Sequence, residues 1–226
     1  MEVSLYHNNF FAMGTRMDVL FWGIKRGYTH MVFQDIFSEV NRLEALLSRY
    51  DENSSIALVN SLAGVRPVQI SEEVFSILSE CVRYHELTNG VFDITALPLI
   101  RELTKAGKEG KPQDKNSMKT LREFSGIDKM KLNREKLTAF LENKGMLIDL
   151  GGMGKGVALK HIDQMLSNSN IPNAFVSFGE SSILARGRHP YGDCWKIGIR
   201  HITDNSRNVH TFELKDASLS TSGITS

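Results

Sequence analysis

The stretch Met146-Leu147-Ile148-Asp149-Leu150-Gly151-Gly152-Met153-Gly154-Lys155-Gly156-Val157 joins an apolar run to an acid, a glycine-rich turn and the start of an amphipathic pattern. It reads as a strand over 146–150, a turn, and a helix to about Ser167 with Val157, Leu159, Ile162, Met165 and Leu166 on its apolar face. Backbone N–H groups, the positive end of a helix dipole, a carboxylate and an ammonium meet at one point of the chain, and phosphate-bearing ligands bind where such groups meet. Two common nucleotide fingerprints do not fit. Lys155 is followed by Gly156 where a P-loop needs Ser or Thr, and glycines at 152, 154 and 156 do not make G-x-G-x-x-G. A glycine-rich connection without a ligand stays open on this stretch alone; the acid before it and the lysine within it argue for a ligand.

Downstream the pattern is β, with strands expected at Ala174–Phe178, Ser182–Ala185, Trp195–His201, Thr211–Leu214 and Ser218–Thr221. Upstream, strands are expected near 129–133 and 136–141, and two more at Val3–Tyr6 and Met17–Trp22. Phe33, Phe37, Val40, Leu43 and Leu47 recur at helical spacing and predict a helix from about Thr29 to Arg49. A second helix is predicted over Glu72–Leu87, capped by Ser71 and stopped at Asn89-Gly90. Residues 101–117 are charged with few apolar positions and read as a mobile surface loop. The class is α+β: mixed sheets packed with helices, in a single domain over residues 1–226.

Composition is that of an ordinary globular chain, 41% hydrophobic and 23% charged over 226 residues. A net charge of +1 gives no reason to expect a nucleic acid or an anionic membrane as partner. Cys81 and Cys194 lack CxxC or zinc-ligand spacing, and Cys81 falls on a helix face expected to be buried. The seven histidines form no HExxH pair, and no G-x-S-x-G elbow supports Ser-His-Asp catalysis. The first residues carry no basic n-region with an apolar h-region, and no apolar run reaches the ~20 residues of a membrane span. As written the chain is expected to be cytoplasmic, or periplasmic or membrane-anchored if an export signal has been removed.

Further motifs stand in order along the chain: Phe11-Ala12-Met13-Gly14-Thr15; Leu47-Ser48-Arg49-Tyr50 with Ser54, Ser55 and Asn60; Asn89-Gly90-Val91-Phe92-Asp93-Ile94-Thr95; and Ser218–Gly223. Together with Ile148–Gly156 they resemble the FAD:protein FMN transferase (ApbE-like flavin transferase) family, over residues 11–223. The resemblance implies an ApbE-like, T-fold-related architecture. It also implies an enzyme that binds FAD and Mg²⁺, splits the pyrophosphate, and attaches FMN through a phosphoester to a threonine of a partner protein. That partner would be a redox-complex subunit or a flavoprotein reductase.

Carried over by position, the resemblance puts Met13 and Tyr50 against the flavin or adenine and Val91, Phe92 and Asp93 along the FAD. Asp149 and Lys155 contact the cofactor and are the catalytic candidates, and the Gly152 carbonyl is the metal ligand. Two features depart from the family's pattern. Ser177-Phe178-Gly179-Glu180-Ser181-Ser182 stands where a Gly-Gly-Asp or Gly-Gly-Asn is usual. The sequence also reaches Ser226 without the His-x-x-Asp-Pro-x-Thr-Gly segment that completes the magnesium site. Two other readings share the ligand: a non-catalytic FAD-binding protein, and a pyrophosphatase giving FMN and AMP.

Overall fold

The computed structural model describes residues 5–110, 121–201, 203–204 and 206–222. In chain order the elements are β1 (Leu5–Ala12), β2 (Thr15–Trp22), α1 (Arg26–Leu47), α2 (Ser55–Ser61), β3 (Val68–Gln69), α3 (Glu72–Leu87) and α4 (Leu97–Glu109). There follow β4 (Met130–Asn133), β5 (Thr138–Leu141), α5 (Gly154–Asn168), β6 (Ala174–Phe178), β7 (Ser182–Arg186), β8 (Trp195–Arg200), β9 (Asn208–Leu214) and β10 (Ala217–Ser220). They form two compact units, one of the residues up to Arg42 with those from Lys155 on, the other of Leu43–Gly154.

The first unit is built on an antiparallel sheet of order β1-β2-β6-β7-β10. Its interior strand β2 alternates strictly: Met17, Val19 and Phe21 are fully buried while Arg16, Asp18, Leu20 and Trp22 are more exposed, the period-2 signature of a half-buried strand. Tyr6 stacks on Phe21, and Phe10 meets Phe33 and Phe37 of α1 edge-on, so helix and sheet are joined by aromatic pairs. Phe37 is 40% exposed, at the margin of the predicted stripe. A separate ribbon of β8 and β9 closes over β7 through Trp195, Leu214, Ile183 and Ala185.

The second unit has a small sheet of order β3-β5-β4 and the helices α2, α3 and α4. α3 has the predicted limits. The Ser71 hydroxyl accepts the Val74 N–H at 3.2 Å, Glu72 and Glu73 lie in the first turn, and Val74, Phe75, Ile77, Leu78 and Cys81 are buried. Such a cap contributes about 1 kcal/mol. Burial, aided by Glu80, pushes the Cys81 thiol up to about 12, so it remains an inert thiol.

Three expectations are corrected. Residues 101–109 are not loop but most of α4, because Arg, Glu, Leu, Lys and Ala are good helix formers and Pro98 sits at the helix start; the charges are its solvated face, and 111–117 lie outside the described residues. Residues 146–150 form no strand. Their backbone is paired instead by a side chain and a loop carbonyl, as described below. At the chain start β1 runs Leu5–Ala12, further along than Val3–Tyr6, and Val3 and Ser4 lie outside the described residues. No described helix is long and apolar enough to cross a membrane.

Candidate functional site

In the second unit the chain leaves α1 through a knot of hydroxyls. The Ser48 hydroxyl accepts the N–H groups of Tyr50 (3.1 Å) and Asp51 (3.2 Å), and the Ser54 hydroxyl donates to the Ser48 carbonyl. Ser54 also caps α2 by accepting the Ala57 N–H at 2.9 Å. This fixes the direction of Arg49 and Tyr50. The Arg49 guanidinium lies 4.0 Å over the Tyr50 ring and donates to its hydroxyl, and its Nε is 3.3 Å from Asp149 Oδ2. Tyr50 is 76% exposed, so its ring is open to a planar ligand.

Asp149 is held from three sides. Its N–H donates to the Ile94 carbonyl (2.8 Å), its Oδ1 accepts the Gly151 N–H (2.9 Å), and its Oδ2 faces Arg49. The preceding residue, Ile148, is gripped by Asn60: the amide Nδ2 donates to the Ile148 carbonyl (3.0 Å) and Oδ1 accepts the Ile148 N–H (2.7 Å). Asn60 therefore does for Ile148 what a neighbouring strand would do, and the segment needs no ladder to satisfy it. The Leu150 carbonyl then accepts both Met153 N–H and Gly154 N–H at 2.8 Å and turns the chain into α5.

The segment after α3 meets this one. Thr88 Oγ1 accepts the Phe92 N–H at 3.0 Å, and the Phe92 carbonyl is 2.7 Å from His85 Nδ1. Asp93 Oδ1 accepts two bonds from Thr95, from its N–H (2.7 Å) and its hydroxyl (2.6 Å). A side chain added at Gly152 would come within 3.9 Å of Phe92, so the turn and the Phe92 ring are neighbours. Tyr50, Phe92, Asp93, Asp149 and Gly152 are thus gathered within one unit. Val91 is 87% exposed at its edge.

The other two expected residues belong to the first unit. Met13 sits with Gly14 in the two-residue turn between β1 and β2, at φ +48°, where Ala12 pairs with Thr15. The turn after β6 reaches the same end of the sheet: Gly179 N–H donates to the Arg16 carbonyl (2.8 Å), and the Ser181 carbonyl accepts the Thr221 N–H (2.8 Å). Lys155 Nζ donates to Ser181 Oγ at 2.7 Å. Ser181 in this turn therefore supplies a hydroxyl that aims the lysine. Of the last expected motif, Ser218–Ser220 lie in β10, and Gly223 lies outside the described residues.

Chemically, the second unit offers two carboxylates, a guanidinium, an exposed aromatic face and the carbonyl of an exposed glycine turn. The carboxylates and the carbonyl are hard oxygen donors, a set that suits magnesium. The first unit offers an ammonium with a single protein partner among the described residues. Sequence reading missed the parts played by Arg49, Asn60 and Ser181, which stood in quoted motifs without a role.

The model of the ApbE family matches residues 13–226. The chain is 30% identical over 181 residues to the FAD:protein FMN transferase of Haemophilus influenzae, covering 77% of this chain and 51% of that protein. It is 24% identical over 218 residues to the enzyme of the same name from Klebsiella pneumoniae, covering 94% and 62%. The flavin transferase ApbE of Vibrio cholerae shares the fold with a TM-score of 0.83 at 23% identity, covering 99% of this chain and 72% of that one. This chain belongs to the ApbE family. It spans between half and two thirds of the length of the curated relatives it matches.

Proposed function

We propose that the chain carries the flavin-handling part of an FAD:protein FMN transferase. The observation that carries this reading is the bond between Asp149 N–H and the Ile94 carbonyl, which lays Asp93 beside Asp149, with Arg49 and the exposed Tyr50 ring at the same place. An FAD molecule needs such a set: an aromatic face for a ring, and positive charge for a pyrophosphate.

In the reaction the hydroxyl oxygen of a partner's threonine bonds to the FMN phosphorus. The phosphoanhydride bond to AMP breaks, AMP leaves with the bonding electrons, and the hydroxyl proton is released. Lys155, aimed by Ser181, stabilises negative charge on the transferring phosphoryl group. In the other unit, Arg49 in its stack on Tyr50 offers positive charge suited to a pyrophosphate. Both Asp149 oxygens are engaged, one by Gly151 and one by Arg49, which favours a role in orienting Arg49 and the turn over proton abstraction. Magnesium, held at the Gly152 carbonyl with Asp93 nearby, would act as a Lewis acid on the pyrophosphate oxygens.

The test incubates the purified chain with FAD, Mg²⁺ and a peptide bearing an acceptor threonine. Flavin on the peptide with release of AMP is expected. FMN and AMP with unmodified peptide would mean hydrolysis, and FAD bound but intact would mean storage; either result contradicts transfer.

A further inference from the structure

A second line of polar bonds in the Leu43–Gly154 unit leads inward from Asp93. Thr95 is fully buried, and its Oγ1, which donates to Asp93, accepts the Gly126 N–H at 2.7 Å. The direction of the hydroxyl is thereby set, with its proton on the carboxylate and a lone pair on the amide. Gly126 has φ +121°, and a Cβ there would lie 2.6 Å from Asp128 Oδ1, so glycine alone presents this N–H here without strain.

What holds the Gly126 loop is Lys129. Its ammonium donates to the carbonyls of Arg122 (2.9 Å), Glu123 (3.2 Å) and Ser125 (2.8 Å). All three N–H donors of the side chain are spent on one loop, as a tethered cation at the C-terminal end of the helical turn at 121–123, where carbonyls point outward. The Lys129 main chain is fixed as well: its N–H donates to the Gly126 carbonyl (3.1 Å) and its carbonyl accepts the Glu142 N–H (3.0 Å). Asn143 adds a bond from Nδ2 to the Glu123 carbonyl at 2.7 Å.

We infer that Lys129 is a positioning residue for Asp93, acting through the 122–126 loop, the Gly126 N–H and the Thr95 hydroxyl. Without the ammonium, three carbonyls lose their common partner and the loop relaxes. The Gly126 N–H then leaves Thr95, the hydroxyl loses its fixed direction, and the Asp93 carboxylate keeps only the Thr95 N–H as a fixed donor. The inference rests on the proposed reading in one respect, that Asp93 faces bound FAD; the relay itself is a property of the chain without ligand.

Two measurements on the intact chain separate these. In the first, the ¹³Cγ signal of Asp93 and the amide signal of Gly126 are compared between the wild type and Lys129→Met without ligand; both are expected to move, and unmoved signals would overturn the relay whatever the chain binds. In the second, FAD affinity is read by fluorescence titration in a double-mutant cycle. Lys129→Met is expected to weaken FAD about tenfold in the presence of Asp93 and less than about twofold in Asp93→Asn. Equal losses in both backgrounds would overturn the positioning role. If Lys129→Met does not fold, the near-isosteric Thr95→Val carries both measurements, and Thr95→Ser, which keeps the hydroxyl, is expected to restore wild-type values. Absence of FAD binding by the wild type would contradict the proposed function and leave the first measurement to decide the relay.

Discussion

The two units hold their polar residues by different means. In the sheet unit, position comes from backbone register: Met13 and Ser181 are carried on turns whose strands are paired residue by residue, and one side-chain bond, Lys155 to Ser181, finishes the arrangement. In the helical unit almost nothing at the site belongs to a ladder. Asn60 replaces a strand for Ile148, Thr95 replaces a turn for Gly126, and Arg49 spans Tyr50 and Asp149. A register tolerates side-chain changes and resists backbone changes; a side-chain scaffold does the reverse.

Asn60→Leu tests that contrast most severely. It leaves the N–H and carbonyl of a fully buried Ile148 unpaired, and a loss of about 3 kcal/mol in urea unfolding is expected. A loss under about 1 kcal/mol would mean that the segment finds partners without Asn60. Gly179→Ala is the matching backbone change in the sheet unit. Its φ of +64° and a Cβ 2.6 Å from Thr15 Oγ1 predict a loss of about 1–2 kcal/mol by the same measurement. Ser181→Ala should cost less than about 1 kcal/mol of stability, because the register survives it, while FAD affinity falls severalfold as Lys155 loses its guide. Unchanged affinity would remove Ser181 from the account.

The smallest effect concerns pH. Hydrogen bonding from Arg42 holds the Glu39 carboxyl below its ordinary 4.5 against the opposing effect of burial, with His161 adding a second bond. A depressed carboxyl contributes stability above its unfolded value and loses it as pH falls through the folded one. Thermal stability should therefore drop modestly as pH falls below about 4.5, and less steeply in Glu39→Gln.

Local pattern made individual elements of both units readable. The alternation of Met17, Val19 and Phe21, the spacing along α3 and the turn at Gly151–Gly156 each announce their element within a dozen residues. The scaffold of the helical unit is not local. Asn60 and Ile148, Thr95 and Gly126, and Arg49 and Asp149 are far apart in sequence, and no periodicity ties one to the other. That is why 146–150 reads as a strand: an apolar run shows that a backbone is extended and buried, but not which group pairs with it. In α4 the apolar period is present at Leu97, Ile100 and Leu103, but the charged residues between them and Gly107 make the segment read as a loop.

The central claim is that Arg49, with Tyr50 and Asp149 in the helical unit, serves the pyrophosphate of FAD. Fluorescence titration of the purified chain with FAD and with riboflavin, which has the same ring and no phosphate, tests it directly. Saturable FAD binding, at least about tenfold tighter than riboflavin and weakened by Arg49→Met, is expected from charge-assisted bonds to phosphate. Equal affinity for the two flavins, or no binding of either, would contradict it.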